Sequence, residues 1–200
     1  APDYDIALKN AEAFAADNGY HLIRDGKESA ISEGAGSIAV ELASLPRYPD
    51  AIYVPVGDGA LVNGIGSWCR ARQPETRIIG ICAAGAPAMA RSWESGSLQR
   101  TERAETIADG IAIAAPIAES AALISHTVDQ MRLVSDGEIL TAMRQLHEDA
   151  RLVSEAAGAV AWAAALADAE SLAGKTVAII VTGANIDPKL MPSWPAAPAQ

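Results

Sequence analysis

The residues with the clearest chemical meaning lie in one short run, VPVGDGALVNGIGSW, residues 54–68. An apolar, β-prone stretch ends at Gly57, Asp58, Gly59 and Ala60, and apolar positions then recur at Leu61, Ile65, Trp68 and Cys69. Glycines let backbone amides approach an anion closely, and the positive end of a following helix reinforces them. The chemistry on offer is capture of a phosphate. No Lys-Ser/Thr pair follows the glycines, so the turn is not a nucleotide P-loop, and its spacing misses the dinucleotide fingerprint. Asp58 is awkward beside an anion, yet its amide still donates if the side chain turns away. Taken alone, the turn is equally a tight strand-to-helix connection that holds nothing.

Other reactive side chains are sparse. His21, His126 and His147 are scattered and read as surface or helix-face residues. Cys69 and Cys82 fall inside regular elements, without the number or spacing of ligands for a disulfide framework or a zinc site. A reduced, cytoplasmic protein is expected. No carboxylate lies among residues 82–88, and hard cations need oxygen ligands, so no metal is expected there. The net charge of −10 argues against nucleic acid or an anionic membrane as partner. No apolar run reaches the roughly 18 residues of a membrane helix, and residues 1–10 do not read as a signal peptide.

The elements that position the turn follow from periodicity. Residues 4–18 have helical spacing and stop at Asn18-Gly19. Strands are expected at 20–24, 51–56, 77–82, 131–134 and 176–181. Helices are expected at 37–45, after Gly34 and Gly36, along Ile139, Met143 and Leu146, and over the small residues of 156–169. Residues 85–103 show little periodicity and are expected to be a long excursion. Continuous apolar strands alternating with helices predict an α/β fold with a largely parallel sheet covered by helices on both faces. Ligands of such sheets bind beyond the carboxyl ends of the strands, where Gly57 lies.

Six segments in order sharpen this. EGAGSIAVEL (33–42), VPVGDGALVNGIG (54–66), RIIGICAAGAPAMARSWESG (77–96), TIADGIA (106–112), EAAGAV (155–160) and IIVTGANID (179–187) together resemble the threonine/serine dehydratase group of fold-type II pyridoxal phosphate enzymes, the tryptophan synthase beta-like family. The resemblance covers nearly all of the chain. It implies pyridoxal 5'-phosphate as cofactor, with its phosphate on the amides of Gly57, Asp58, Gly59, Ala60 and Leu61. It implies Gly110 as a backbone position beside the ring and Glu155 as a carboxylate near the cofactor. Thr182 matches the position whose hydroxyl faces the pyridine nitrogen and leaves it largely unprotonated. Taken alone, Thr182 is a strand-end hydroxyl and Glu155 a helix N-terminal carboxylate.

The resemblance also marks a gap. The family's Schiff-base lysine sits in a Ser-x-Lys-x-Arg-like segment upstream of all these matches. The four lysines here, Lys9, Lys27, Lys175 and Lys189, have no such context and read as solvated surface charges. No catalytic residue is therefore assigned within this chain. The chain is expected to be an incomplete fold-type II large domain: 1–33 the end of the small domain and its connection, 34–191 most of the cofactor-binding domain, 192–200 a flexible tail. The lysine comes from a missing N-terminal segment or a companion chain. No regulatory domain is expected after Asn185. The implied function is β-elimination from a hydroxy amino acid to a 2-oxo acid and ammonia, in an enzyme that forms a homodimer. Alternatives within the same frame are an amino-acid racemase, another ammonia-lyase, or a non-catalytic phosphate-ligand-binding or structural subunit.

Overall fold

Alternation decides the architecture. Along the strands, Ala51, Tyr53, Ile79, Ile81 and Ala83 point to one face of a sheet, while Ile52, Val54, Val56, Ile78 and Cys82 point to the other. Both sets are buried, so both faces must be covered. The computed structural model of the chain describes residues 4–186. Helices α1 (Tyr4–Asn18), α2 (Ser29–Ala35) and α3 (Ser37–Leu42) precede strand β1 (Ala51–Pro55). Helix α4 (Ala60–Arg72) leads to β2 (Arg77–Ala83) and α5 (Ala88–Ser95). A 3-10 turn at Asp109–Ile111 precedes α6 (Ala118–Thr127) and β3 (Gln130–Val134). Then come α7 (Asp136–Ala150), α8 (Ala156–Ala167), a 3-10 turn at Ala169–Leu172, and β4 (Val177–Ile179).

The strands pair in parallel in the order β3-β2-β1-β4, which places β1 and β2 in the middle. Helices α7 and α8 cover one face and α4, α5 and α6 the other. The parallel, two-sided α/β sheet expected from the sequence is the one found. Nine of the twelve residues of α8 are buried, most of them Ala or Gly; small side chains let this helix lie close to both the sheet and α7. Register at the edge is set by Asp50. Its Oδ2 accepts from Thr176 N–H at 2.7 Å, and its N–H donates to Thr176 O at 2.8 Å. The Thr176 amide first, and then the Arg47 guanidinium, hold this carboxyl below the usual carboxylate range.

Some expectations fail for identifiable reasons. Residues 20–24 form no strand: Tyr20 and Ile23 are 63% and 69% exposed, and among the described residues no strand pairs with them. A strand without a neighbour leaves its backbone groups unpaired. Residues 85–103 are not a bare excursion, because Ala88–Ser95 is helical and buries Ala88, Met89, Ala90 and Ser92. Helix α3 stops at Leu42 rather than 45, and β4 is confined to Val177–Ile179. Helices α2 and α6 carry weak apolar periodicity and escape a sequence reading. Cys69 and Cys82 are buried free thiols, and burial pushes the Cys82 thiol up to about 12. The tail, 192–200, and Lys189 lie outside the described residues.

Helix α7 opens with a reciprocal cap. Ser135 Oγ accepts from Glu138 N–H at 3.4 Å, and Glu138 Oε2 accepts from Ser135 N–H at 2.7 Å. The Ser135 hydroxyl, then its amide, hold the Glu138 carboxyl below its usual range. A folded-state value below the unfolded one gives stabilisation that is present above the unfolded value and lost as pH falls through the lowered one. Glu138→Ala is expected to cost roughly 0.5–1 kcal/mol at neutral pH, with the gap to the parent protein closing in acid. Urea midpoints measured across pH check this, and a gap independent of pH would contradict it.

Candidate active site

The glycine turn leaves the carboxyl end of β1, an interior strand. Val56 N–H still donates to Ile81 O at 2.8 Å, and the chain leaves the ladder at Gly57. Gly57 passes close to the 3-10 turn. A Cβ there would lie 3.2 Å from Ile111 Cα and 3.4 Å from Gly110 O. Gly59 caps α4 with φ +94°, in the left-handed region. Its carbonyl accepts from Asn63 N–H at 2.9 Å and begins the helix.

Among the described residues, the amides of Gly57, Gly59, Ala60 and Leu61 make no hydrogen bond. Four such donors at one helix N-terminus form a concave positive surface. The turn borders a cavity of about 260 Å³. Gly110 reaches it from the 3-10 turn, Glu155 from the N-cap of α8, and Thr182 from the chain leaving β4. All eight residues singled out in the sequence line this one cavity: Gly57, Asp58, Gly59, Ala60, Leu61, Gly110, Glu155 and Thr182. Among the described residues, the Glu155 carboxylate and the Thr182 hydroxyl make no hydrogen bond.

Glu155 is held by contacts that sequence reasoning did not foresee. Its N–H donates to Gly183 O at 3.0 Å. A Cβ on Gly183 would come within 2.7 Å of Glu155 Cδ, and one on Gly158 within 2.9 Å of Gly183 O. These two glycines let α8 and the β4 exit touch backbone to backbone. Their signal is visible afterwards in the strings EAAGAV and VTGAN. Asp25 also lines the cavity and was missed. It precedes Gly26, whose φ is +72° and whose Cβ would meet Asp58 O at 2.8 Å. The Asp25-Gly26 pair is a turn signal that could have flagged it.

Electrostatics at the cavity are unusual for an anion site. Three carboxylates, Asp25, Asp58 and Glu155, line it, and no Lys or Arg does so. An anion there gains its stabilisation from amides and the α4 dipole rather than from a cation. The lysines stand elsewhere: Lys9, Lys27 and Lys175 are exposed and none lines the cavity. His21 and His126 are exposed, and His147 is half-buried on α7. No helix among the described residues is long and apolar enough to cross a membrane. Larger clefts of about 740, 520 and 840 Å³ are lined mostly by other residues, and none gathers these four amides.

A family model described as pyridoxal-phosphate dependent enzyme matches residues 1–183. The chain is 33% identical over 184 residues to an L-threonine ammonia-lyase of Thermotoga maritima, covering 92% of this chain and 46% of that protein. Its structure resembles the processed form of threonine deaminase isoform 2 from Solanum lycopersicum with a TM-score of 0.87 and 28% identity, over 92% of this chain and 54% of the other. It resembles maize serine racemase with a TM-score of 0.86 and 26% identity, over 92% and 58%. The chain thus spans about half the length of the curated relatives it matches.

Proposed function

Because this chain belongs to the pyridoxal-phosphate dependent enzyme family, we propose that it is the cofactor-holding part of an ammonia-lyase acting on L-threonine or L-serine. The observation that carries this reading is the set of acceptor-free amides at Gly57, Gly59, Ala60 and Leu61, on a cavity shared with Gly110, Glu155 and Thr182. The residues fit the cofactor. The amides suit its phosphate, the absence of a Cβ at Gly57 keeps clear the space beside Gly110 and Ile111 on the cavity wall, and the absence of one at Gly59 lets the turn lie against α6. Pyridoxal phosphate, when bound, supplies an electron sink for the bonds at an amino acid's α-carbon.

The chain's own groups divide the work. The amides bind and orient the phosphate. With the cofactor bound, the Thr182 Oγ1 hydroxyl would be a neutral partner for its ring nitrogen, where a carboxylate would favour a proton. A neutral partner there would favour loss of a β-hydroxyl from the substrate. Glu155, pinned through its amide to Gly183, would present a carboxylate to the bound cofactor. The general base is the lysine of another stretch of polypeptide, an upstream segment or a companion chain. Exposed Phe14, Tyr20, Ile23 and Val40 support a packing partner of that kind. The division at residue 33 between the two domains, a homodimer of the full enzyme, and a cytoplasmic setting suggested by the two free thiols belong to the same reading.

The test is titration with pyridoxal 5'-phosphate followed by amide hydrogen exchange. Protection at Gly57, Gly59, Ala60 and Leu61 is expected; unchanged exchange there would overturn the reading. Joined to the lysine-bearing segment, the protein should release 2-oxo acid from L-threonine or L-serine. Inversion of serine without 2-oxo acid would instead make it a racemase, the reading favoured by the serine racemase likeness.

A further inference from the structure

Three buried polar side chains stand behind the turn and take no part in the cavity lining. Asn63 on α4 is 2% exposed, and Ser120 and Thr127 on α6 are 1% and 2% exposed. They form a chain of hydrogen bonds. Asn63 Nδ2 donates to Ser120 O at 3.2 Å and to Ser120 Oγ at 3.0 Å. The Ser120 carbonyl can only accept, so it fixes the orientation of the Asn63 amide. Asn63 Oδ1 then faces Thr127 Oγ1 at 3.0 Å, whose proton is shared with Leu123 O at 3.1 Å. Ser120 Oγ, already an acceptor, directs its own proton to the carbonyl of Asp58.

From this geometry we infer that Thr127, Asn63 and Ser120 are positioning residues that aim the phosphate-binding amides, an inference resting on the reading of the turn given above. The Asp58 carbonyl and the Gly59 N–H belong to one planar trans peptide and point in opposite directions. Holding the carbonyl against α6 therefore turns the Gly59 N–H away from α6, out of the protein's interior. The donors all run toward the turn, and at such low exposure each bond polarises the next. Gly59 completes the device, because Ser120 Oγ occupies the space a Cβ would need. A helix beginning 57 residues downstream of Leu61 thus sets the direction of a donor in the turn.

The test uses inorganic phosphate as probe and the exchange rate of the Gly59 amide as a second readout. Ser120→Ala is expected to weaken phosphate binding about tenfold, the effect of one lost hydrogen bond, and to change exchange at Gly59. Should that variant not fold, Thr127→Val and Thr127→Ser carry the test. Valine keeps the shape against Gly66 and removes the hydroxyl, so it should weaken binding; serine keeps the hydroxyl and should restore it. A folded Ser120→Ala or Thr127→Val that is less stable but binds phosphate as tightly as the parent would show the three residues to be structural only, and would overturn the inference. A parent protein that does not bind phosphate at all would instead remove the reading of the turn, and this inference with it.

Discussion

Gly59→Ala is expected to abolish detectable phosphate binding and to lower stability by roughly 2–5 kcal/mol. Two costs combine. Gly59 has φ +94°, a conformation an alanine reaches only with strain of about 1–2 kcal/mol. Its new Cβ would also run into the Ser120 hydroxyl and come within 2.7 Å of Ile124 Cδ1. Both neighbours are buried, at 1% and 0% exposure, so neither can swing into solvent. Overpacking of this kind costs about 1–3 kcal/mol. Relief requires the turn to rotate, and rotation moves the amides that face the cavity. Urea unfolding and phosphate titration of the same sample check both parts. An alanine variant with the parent's midpoint and affinity would refute the geometry. Gly57→Ala makes a graded control: its Cβ would lie 3.2 Å from Ile111 Cα, a contact that a shift of tenths of an ångström relieves.

Asp168→Ala is expected to destabilise the protein by about 3 kcal/mol while leaving phosphate binding intact on the folded fraction. Asp168 is the C-cap of α8, with an 11% exposed side chain, at the end of the sheet opposite the cavity. Its carboxylate accepts from the Tyr53 hydroxyl at 2.9 Å and from Arg132 Nε at 3.2 Å, and it pairs with the remaining Arg132 guanidinium. Tyr53 is 2% exposed, so the substitution leaves a buried hydroxyl without its acceptor. That desolvation cost is about 1–3 kcal/mol, and loss of an ion pair whose acidic partner is mostly buried adds to it. The addition is moderated because the Arg132 side chain is 39% exposed and recovers some hydration. Asp168→Asn keeps an acceptor for Tyr53 and should lose roughly half as much. Equal losses for the two variants would mean that the charge, not the Tyr53 hydroxyl, dominates.

Much of the sheet and the site could be read from residue order. The strand at 51–56 announces itself by an uninterrupted apolar run, and such runs arise where both faces of a parallel sheet are covered. The turn at 57–60 is legible as a turn because two glycines close an apolar run, and its anion-binding reading came from the ordered motifs around it. Gly110, Glu155 and Thr182 were legible only through the ordered motifs, since each alone is an ordinary turn, cap or strand-end residue. Their convergence on one cavity is a property of the fold. Residues 20–24 misled because β-propensity describes a side chain's suitability for a pleated surface and says nothing of whether a neighbour exists. Helix α5 was missed because it is only eight residues long, about two turns, too few for apolar spacing to recur.

By itself the sequence determined the family, the alternation of strands and helices, and the place of the glycine turn at the carboxyl end of a strand. It also determined that none of its own lysines stands in the context of a Schiff-base lysine. Those properties are local, or are carried by the order of motifs along the chain. Tertiary structure alone decided where the donors point. Ser120 meets the Asp58 carbonyl across 62 residues, Thr127 meets Asn63 across 64, and Gly183 meets Glu155 through a backbone contact. The direction of a peptide N–H depends on what holds the carbonyl on its other side, and that partner comes from whichever helix the packing of the sheet brings near.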